Sequence, residues 1–110
     1  MKFSNLSPIT LSEAGDAFAS QSSNRIIDAL LRLSHFPIEY NQTEQACLTY
    51  LDSEDFNVRR IAVLALGHLA RTCGFIDKGK IIPILNAMSQ DPTISGTVED
   101  ALDDIEIFAR

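Results

Sequence analysis

Cysteine is scarce in this sequence, and so is positive charge. The two cysteines, Cys47 and Cys73, stand 26 residues apart and outside any CxxC arrangement. A disulfide framework or a cysteine-held zinc is therefore not expected, and both thiols are read as reduced and largely buried. Histidine is represented only by His35 and His68, neither with a His, Cys or carboxylate at ligand spacing, so no metal site and no cofactor are expected. Lysine and arginine together number 9 against 15 aspartates and glutamates, giving a net charge of −6. That balance repels nucleic acid and anionic membrane at long range and favours a basic partner. No apolar run approaches the ~18 residues of a membrane span. The opening MKFSNLSPITLSEAG has one lysine and no unbroken apolar stretch, unlike a secretory signal, so a cytoplasmic location is expected. No GxGxxG, Walker or GxSxG pattern occurs, and Ser, His and Asp without such a context do not make a triad. Catalytic residues are accordingly not expected.

What is present is a folding composition. Hydrophobic residues make up 45% of 110 residues, dominated by Leu, Ile, Ala and Val, which suits one domain over 1–110. A chain of this length buries ~65% of its unfolded surface. Three segments align at a constant offset of 36 residues: RIIDALLRL (25–33), IAVLALGHL (61–69) and TVEDALDDI (97–105). Ile26, Ala62 and Val98 coincide, as do Ala29, Ala65 and Ala101, then Leu30, Leu66 and Leu102, then Leu33, Leu69 and Ile105. Apolar residues at i, i+3, i+4 and i+7 form the inward stripe of an amphipathic helix. The alanine in each allows a neighbouring helix to come close.

Each of these helices follows another helical stretch. The candidates are 10–20, 42–51 and 80–90 for the first elements and 24–35, 57–72 and 95–108 for the second. No β-alternation of useful length is seen. Asn41, Asp55 and Asp77 suit helix N-termini, and Gly74 suits a C-terminal stop. The expected fold class is all-α, with six helices in three antiparallel pairs.

The segment LDSEDFNVRRIAVLALGHL (51–69) resembles a HEAT repeat, in which an acidic turn runs into Val58-Arg59, then Ala62, then Ala65-Leu66-Gly67. The third segment keeps Pro83, the turn Asp91-Pro92 and Ala101-Leu102, with Ile94-Ser95 where Val-Arg would stand. The first keeps only its second helix well. The resemblance implies a short right-handed α-solenoid of about three HEAT-like hairpins, whose end repeats act as soluble caps. It also implies that Asp55 and Arg59 tie neighbouring turns together rather than await a ligand. Gly67 is then read as a point of close helix packing and Pro83 as a tolerated kink. Phe36, Ile38 and Phe75, in the linkers after the second helices, are expected to plug the ends of the core. Tyr40 has in addition an interface reading.

The most unusual stretch is Glu99 to Glu106. At 100° per residue, Asp100, Asp103 and Asp104 fall opposite Val98, Ala101, Leu102 and Ile105, with Glu99 beside them. This is either a solvated acidic cap or a docking face, with Asp28 of the first repeat as an outlying member. In size and charge the chain is similar to bacterial immunity proteins, including those of contact-dependent growth inhibition. That similarity implies a non-enzymatic inhibitor binding a basic toxin domain, such as a nuclease, one-to-one. An adaptor or subunit of a larger assembly is the alternative, and a bilin-lyase-like protein a more distant one.

Overall fold

Helix ends in this chain are set by side chains that meet the first unpaired backbone N–H groups. In a computed structural model describing residues 6–110, Asp55 accepts hydrogen bonds from the backbone N–H of Asn57 and Val58 at 2.8 and 3.3 Å. Asp77 accepts from Lys80 N–H at 3.3 Å. Both therefore open helices as expected. Asn41 does not: the helix begins earlier, because the two carboxylate oxygens of Glu39 accept from Asn41 and Gln42 N–H at 3.1 Å each. Gly74 sits in the left-handed region at φ 65° and its N–H donates to the Ala70 carbonyl, ending the longest helix where the sequence indicates.

The elements are α1 (Leu11–Ala19), α2 (Ser23–His35), α3 (Tyr40–Tyr50), α4 (Phe56–Cys73), α5 (Lys78–Met88) and α6 (Ser95–Phe108), with no strand among the described residues. Each lies within two residues of its expected span. Residues 1–5, the start of the segment weighed as a secretory signal, lie outside the described residues. Pro83 falls inside α5, on its exposed side.

The helix α4 is the centre of the structure. It packs against α2 on one flank and α6 on the other, and α3 also packs on it, while α1 packs on α2 and α5 on α6. Ala29, Ala65 and Ala101 are all buried, one on each even-numbered helix. Leu30, Leu66, Leu69, Val98 and Ile105 fill the space around them. Gly67 marks the closest approach. A Cβ there would lie 3.2 Å from the Ala101 Cα and 3.1 Å from the Asp104 Oδ2, so α6 comes against α4 backbone to backbone.

Three sequence expectations are corrected. Cys47 is buried, and burial pushes its thiol up to about 12, but Cys73 is exposed, at the last turn of α4 beyond the inward stripe that ends with Leu69 and Ala70. Phe36, Ile38 and Phe75 do not plug the core and are 40%, 52% and 49% exposed. After the Gly74 turn it is Ile76 that points inward, leaving the Phe75 ring on the Tyr40 ring at 5.2 Å. Asp55 and Arg59 act structurally but not as a pair. Asp55 accepts from the Ser23 hydroxyl at 2.6 Å, joining the start of α4 to the start of α2, while Arg59 donates to the Ser53 and Glu54 carbonyls.

A polar tie between α3 and α5 was not foreseen. Glu44 is buried, and its carboxylate accepts from the Tyr40 hydroxyl at 2.6 Å and from Lys80 Nζ at 2.7 Å. The Tyr40 oxygen in turn accepts from Asp77 N–H at 2.8 Å. Burial, with the Glu44 carboxylate beside it, raises the Tyr40 hydroxyl well above the usual phenol range.

Candidate partner-binding face

The helices α2, α4 and α6 lie side by side, so their outward residues form one surface. The 36-residue offset puts Asp28, Leu64 and Asp100 at equivalent helix positions, and likewise His35, Arg71 and Ile107. On α6 the predicted acids divide. Glu99, Asp100 and Asp103 are exposed. Asp104 is half-buried, with its Oδ2 close over Gly67, and so does not face away from the core as expected. The reason is local: at 100° per residue Asp104 is on the flank of α6, and a glycine on α4 lets that flank be covered. Ile107, 70% exposed, falls on the same outward stripe as Asp100 and Asp103. The acidic surface therefore has a large apolar side chain within it, which sequence reading passed over.

Asp28 does not join this patch. It pairs with Arg32 at 3.2 Å and lines a depression beside α1 with Glu13, Asp16 and Arg25, on the far side of α4 from α6. Arg32 is held further by donating to the Ser7 and Pro8 carbonyls at 2.9 and 2.7 Å. Of the five predicted partner residues, three are exposed together on α6, one is in the α4–α6 seam, and one is across the layer.

A second feature of the same face is a cleft of about 340 Å³ lined by His35, His68, Arg71, Thr72 and Phe108. The rings of His35 and His68 meet edge to face at 4.5 Å. His35 Nδ1 is 2.9 Å from the Leu31 carbonyl oxygen, which places the proton on that nitrogen in the neutral ring. His68 Nδ1 is buried and has no hydrogen-bond partner among the described residues. Burial, followed by the neighbouring His35 and Arg71 charges, pushes the His68 ring down to about 4. The Arg71 guanidinium lies over the Phe108 ring at 5.3 Å. The sequence does carry a signal for this cleft, since His35 and Arg71, like Thr72 and Phe108, are 36 residues apart. Among the described residues no group of three or more His, Cys, Asp or Glu could hold a metal ion, and no helix is long and apolar enough to cross a membrane.

No protein-family model matches the chain, and no curated protein matches it in sequence. Among solved structures, a chain in the crystal structure of a CDI complex from Cupriavidus taiwanensis is similar, with a TM-score of 0.87 and 24% identity. The likeness covers 98% of this chain and 96% of that one, so the two share a fold nearly end to end.

Proposed function

We propose that this protein is a non-enzymatic, cytoplasmic immunity protein that binds and neutralises a cognate basic toxin domain one-to-one, through the face made by α2, α4 and α6. The observation that carries the reading is the full-length likeness in fold to a chain of a CDI complex. A structure of that kind gives the fold a setting in which it meets a protein partner. The net charge of −6 and the exposed Glu99, Asp100 and Asp103 supply the complementary electrostatics for a basic partner. Ile107 supplies an apolar contact among them. In the same reading the fold is a short right-handed solenoid of three HEAT-like hairpins. Support comes from the 51–69 pattern, the three buried alanines and the α2–α4–α6 layer.

The test is to coexpress the chain with the protein encoded in the adjacent reading frame, then measure stoichiometry by light scattering and inhibition by toxin activity. An equimolar complex with loss of toxicity is expected. Failure to bind, or protection without a complex, refutes the reading. A second reading, as an adaptor, draws on the largely apolar groove of Leu48, Leu51, Ile84 and Met88 between α3 and α5, on different helices from the proposed face. It predicts copurification with a multi-subunit assembly instead.

A further inference from the structure

Five of the seven large hydrophobic side chains left exposed among the described residues gather at one end of the α2–α4–α6 layer. Phe36, Ile38, Phe75, Ile107 and Phe108 are 40–70% exposed there, at or just past the C-terminal ends of the three helices. Leu11 and Phe56 stand apart, at the starts of α1 and α4. We propose that this apolar end anchors a basic protein partner, holding it once docked while the acids of α6 bring it in. The proposal rests on the reading that the chain binds such a partner, and it puts the main contact at the end of the layer.

Contacts between the elements make the five one surface. The ring of Phe75 lies against that of Tyr40 at 5.2 Å, two residues after Ile38. The Arg110 N–H donates to the Gly74 carbonyl at 3.2 Å, which ties the end of α6 beside Phe75. The cleft lined by His35 and Phe108 joins the end of α2, where Phe36 follows, to the end of α6. Ile107 is one turn beyond Asp103 on the same stripe, so the patch continues into the acids. The core does not need these groups, because Leu69, Ile76 and Ile105 already fill the inward positions.

Size and charge say what covers the end. Five such side chains, about half exposed, present on the order of 500 Å² of apolar surface. That is as large as the largest patch on a typical monomer. It also matches the apolar share, roughly three-fifths, of the ~800 Å² that one partner contributes to a standard interface. One protein therefore suffices to cover it. The charges around it nearly cancel, with Arg71, Lys78 and Arg110 against Glu39, Asp77 and Glu106. A second copy of the chain is the wrong occupant. It carries the same −6, and would set its own α6 acids and the carbonyl ends of three helices against their equals. A basic protein meets both favourably. Apolar groups act only on touching, whereas exposed charges act over about 8–10 Å, so the end governs departure and the stripe governs arrival.

Stopped-flow kinetics of the intact chain with the adjacent-frame protein test this. Phe36→Ser and Phe75→Ser should each speed dissociation about tenfold and leave association within about twofold of the parent chain. Phe56→Ser, 38% exposed at the opposite end of α4, should change neither rate. Circular dichroism melts of the free chains detect a folding defect. Ile107→Ser, at the most exposed of the five positions, takes the place of either variant that melts well below the parent. If the protein binds but dissociation is unchanged, or Phe56→Ser has an equal effect, the apolar anchor falls and the partner reading stands. Sedimentation of the chain alone should show a monomer; a dimer that Phe75→Ser abolishes assigns the end to a second copy and overturns the proposal. If the parent chain does not bind the adjacent-frame protein at all, the partner reading falls and takes the anchor with it, an outcome distinct from binding that ignores the end.

Discussion

Replacing Gly67 by alanine should destabilise the protein, although alanine is the better helix former. In an exposed helix interior the exchange gains about 1 kcal/mol from propensity. Here the added Cβ would lie 3.1 Å from the Asp104 Oδ2, 3.2 Å from the Ala101 Cα and 3.5 Å from the Ala101 Cβ. The Asp104 carboxylate is the end of a side chain and can swing away. The Ala101 Cα is backbone, so relief requires α6 to shift from α4 along a seam that also contains Leu66, Val98 and Ile105. Overpacking of this kind costs roughly 1–3 kcal/mol. The sum is a net loss of about 1 kcal/mol, or roughly a 5 °C fall in Tm for a domain near this size. Gly15 provides the control within the same chain: it is inside α1, and a Cβ there has nothing within 4 Å. Gly15→Ala should therefore raise stability by ~0.4–1 kcal/mol. Urea unfolding of both variants at unchanged m-value gives the comparison. If Gly67→Ala gains as much as Gly15→Ala, the close approach of α4 and α6 is wrong.

Three further outcomes are expected. Tyr40→Phe removes the hydroxyl that donates to Glu44 and accepts from Asp77 N–H, and should cost ~1–3 kcal/mol in urea unfolding; an unchanged midpoint would show that the α3–α5 tie carries no stability. His68, pushed down to about 4 from a usual 6.5, stays neutral in the folded chain while it protonates in the unfolded one. Stability is therefore full above pH ~6.5 and is lost as the pH falls towards ~4. At ~1.4 kcal/mol per pH unit the shift alone gives ~3 kcal/mol. The ring lines an open cleft, so solvent screening reduces this to roughly 1–2 kcal/mol. His68→Gln should flatten that part of the stability–pH curve, and a curve unchanged by the substitution counts against the buried neutral ring. Asp100→Lys with Asp103→Lys should slow association with a basic partner and weaken its salt dependence, because exposed charges act over about 8–10 Å at physiological ionic strength. Stopped-flow rates at two salt concentrations, identical to those of the parent chain, would remove the acidic stripe from the interface.

Much of the fold is legible because helical periodicity is a property of one segment at a time. The buried stripe through Ala65, Leu66 and Leu69 can be read from the spacing alone, and so can the caps at Asp55, Asp77 and Gly74. What periodicity does not contain is which flank of a helix a neighbour covers. Asp104 looked outward on a helical wheel and is half-buried because Gly67, on a different helix, makes room for it. The same limit applies to the linkers. Composition favours the larger Phe75 as the core plug, whereas the φ 65° turn at Gly74 hands that place to Ile76. For the candidate site, the acids on α6 were visible as a run of like charge. The cleft was not, because its members are dispersed over three helices. The 36-residue offset relates His35 to Arg71 and Thr72 to Phe108 but leaves His68 unrelated, and the columns that stand out at that offset are apolar.

The position of the acids within the layer bears on their role. Both flanks of α4 are occupied by other even-numbered helices, so its outward strip is narrow, whereas α6 has such a neighbour on one flank only. A helix packed against such a neighbour on one flank only can carry extra charge on the other without disturbing the core, which is why an acidic α6 by itself fits a solvated cap as well as a binding surface. The two differ in what the free chain gives up. Asp100, Asp103 and Asp104 crowd like charges at i, i+3 and i+4, which costs an isolated helix a few tenths of a kcal/mol per pair. Lysine at positions 100 and 103 relieves that crowding, so the free double variant should be slightly more stable under either role. Only the partner separates them. A ligand that binds the native state alone adds RT ln(1 + [L]/Kd), about 2.7 kcal/mol at a hundredfold excess over Kd. If the stripe is a docking face, the double variant loses most of that addition and melts below the parent chain once partner is present, having melted above it alone. A cap keeps the variant on top in both conditions. Thermal melts of the two chains with and without partner therefore decide the matter by a change of order, which no uniform shift in stability can imitate.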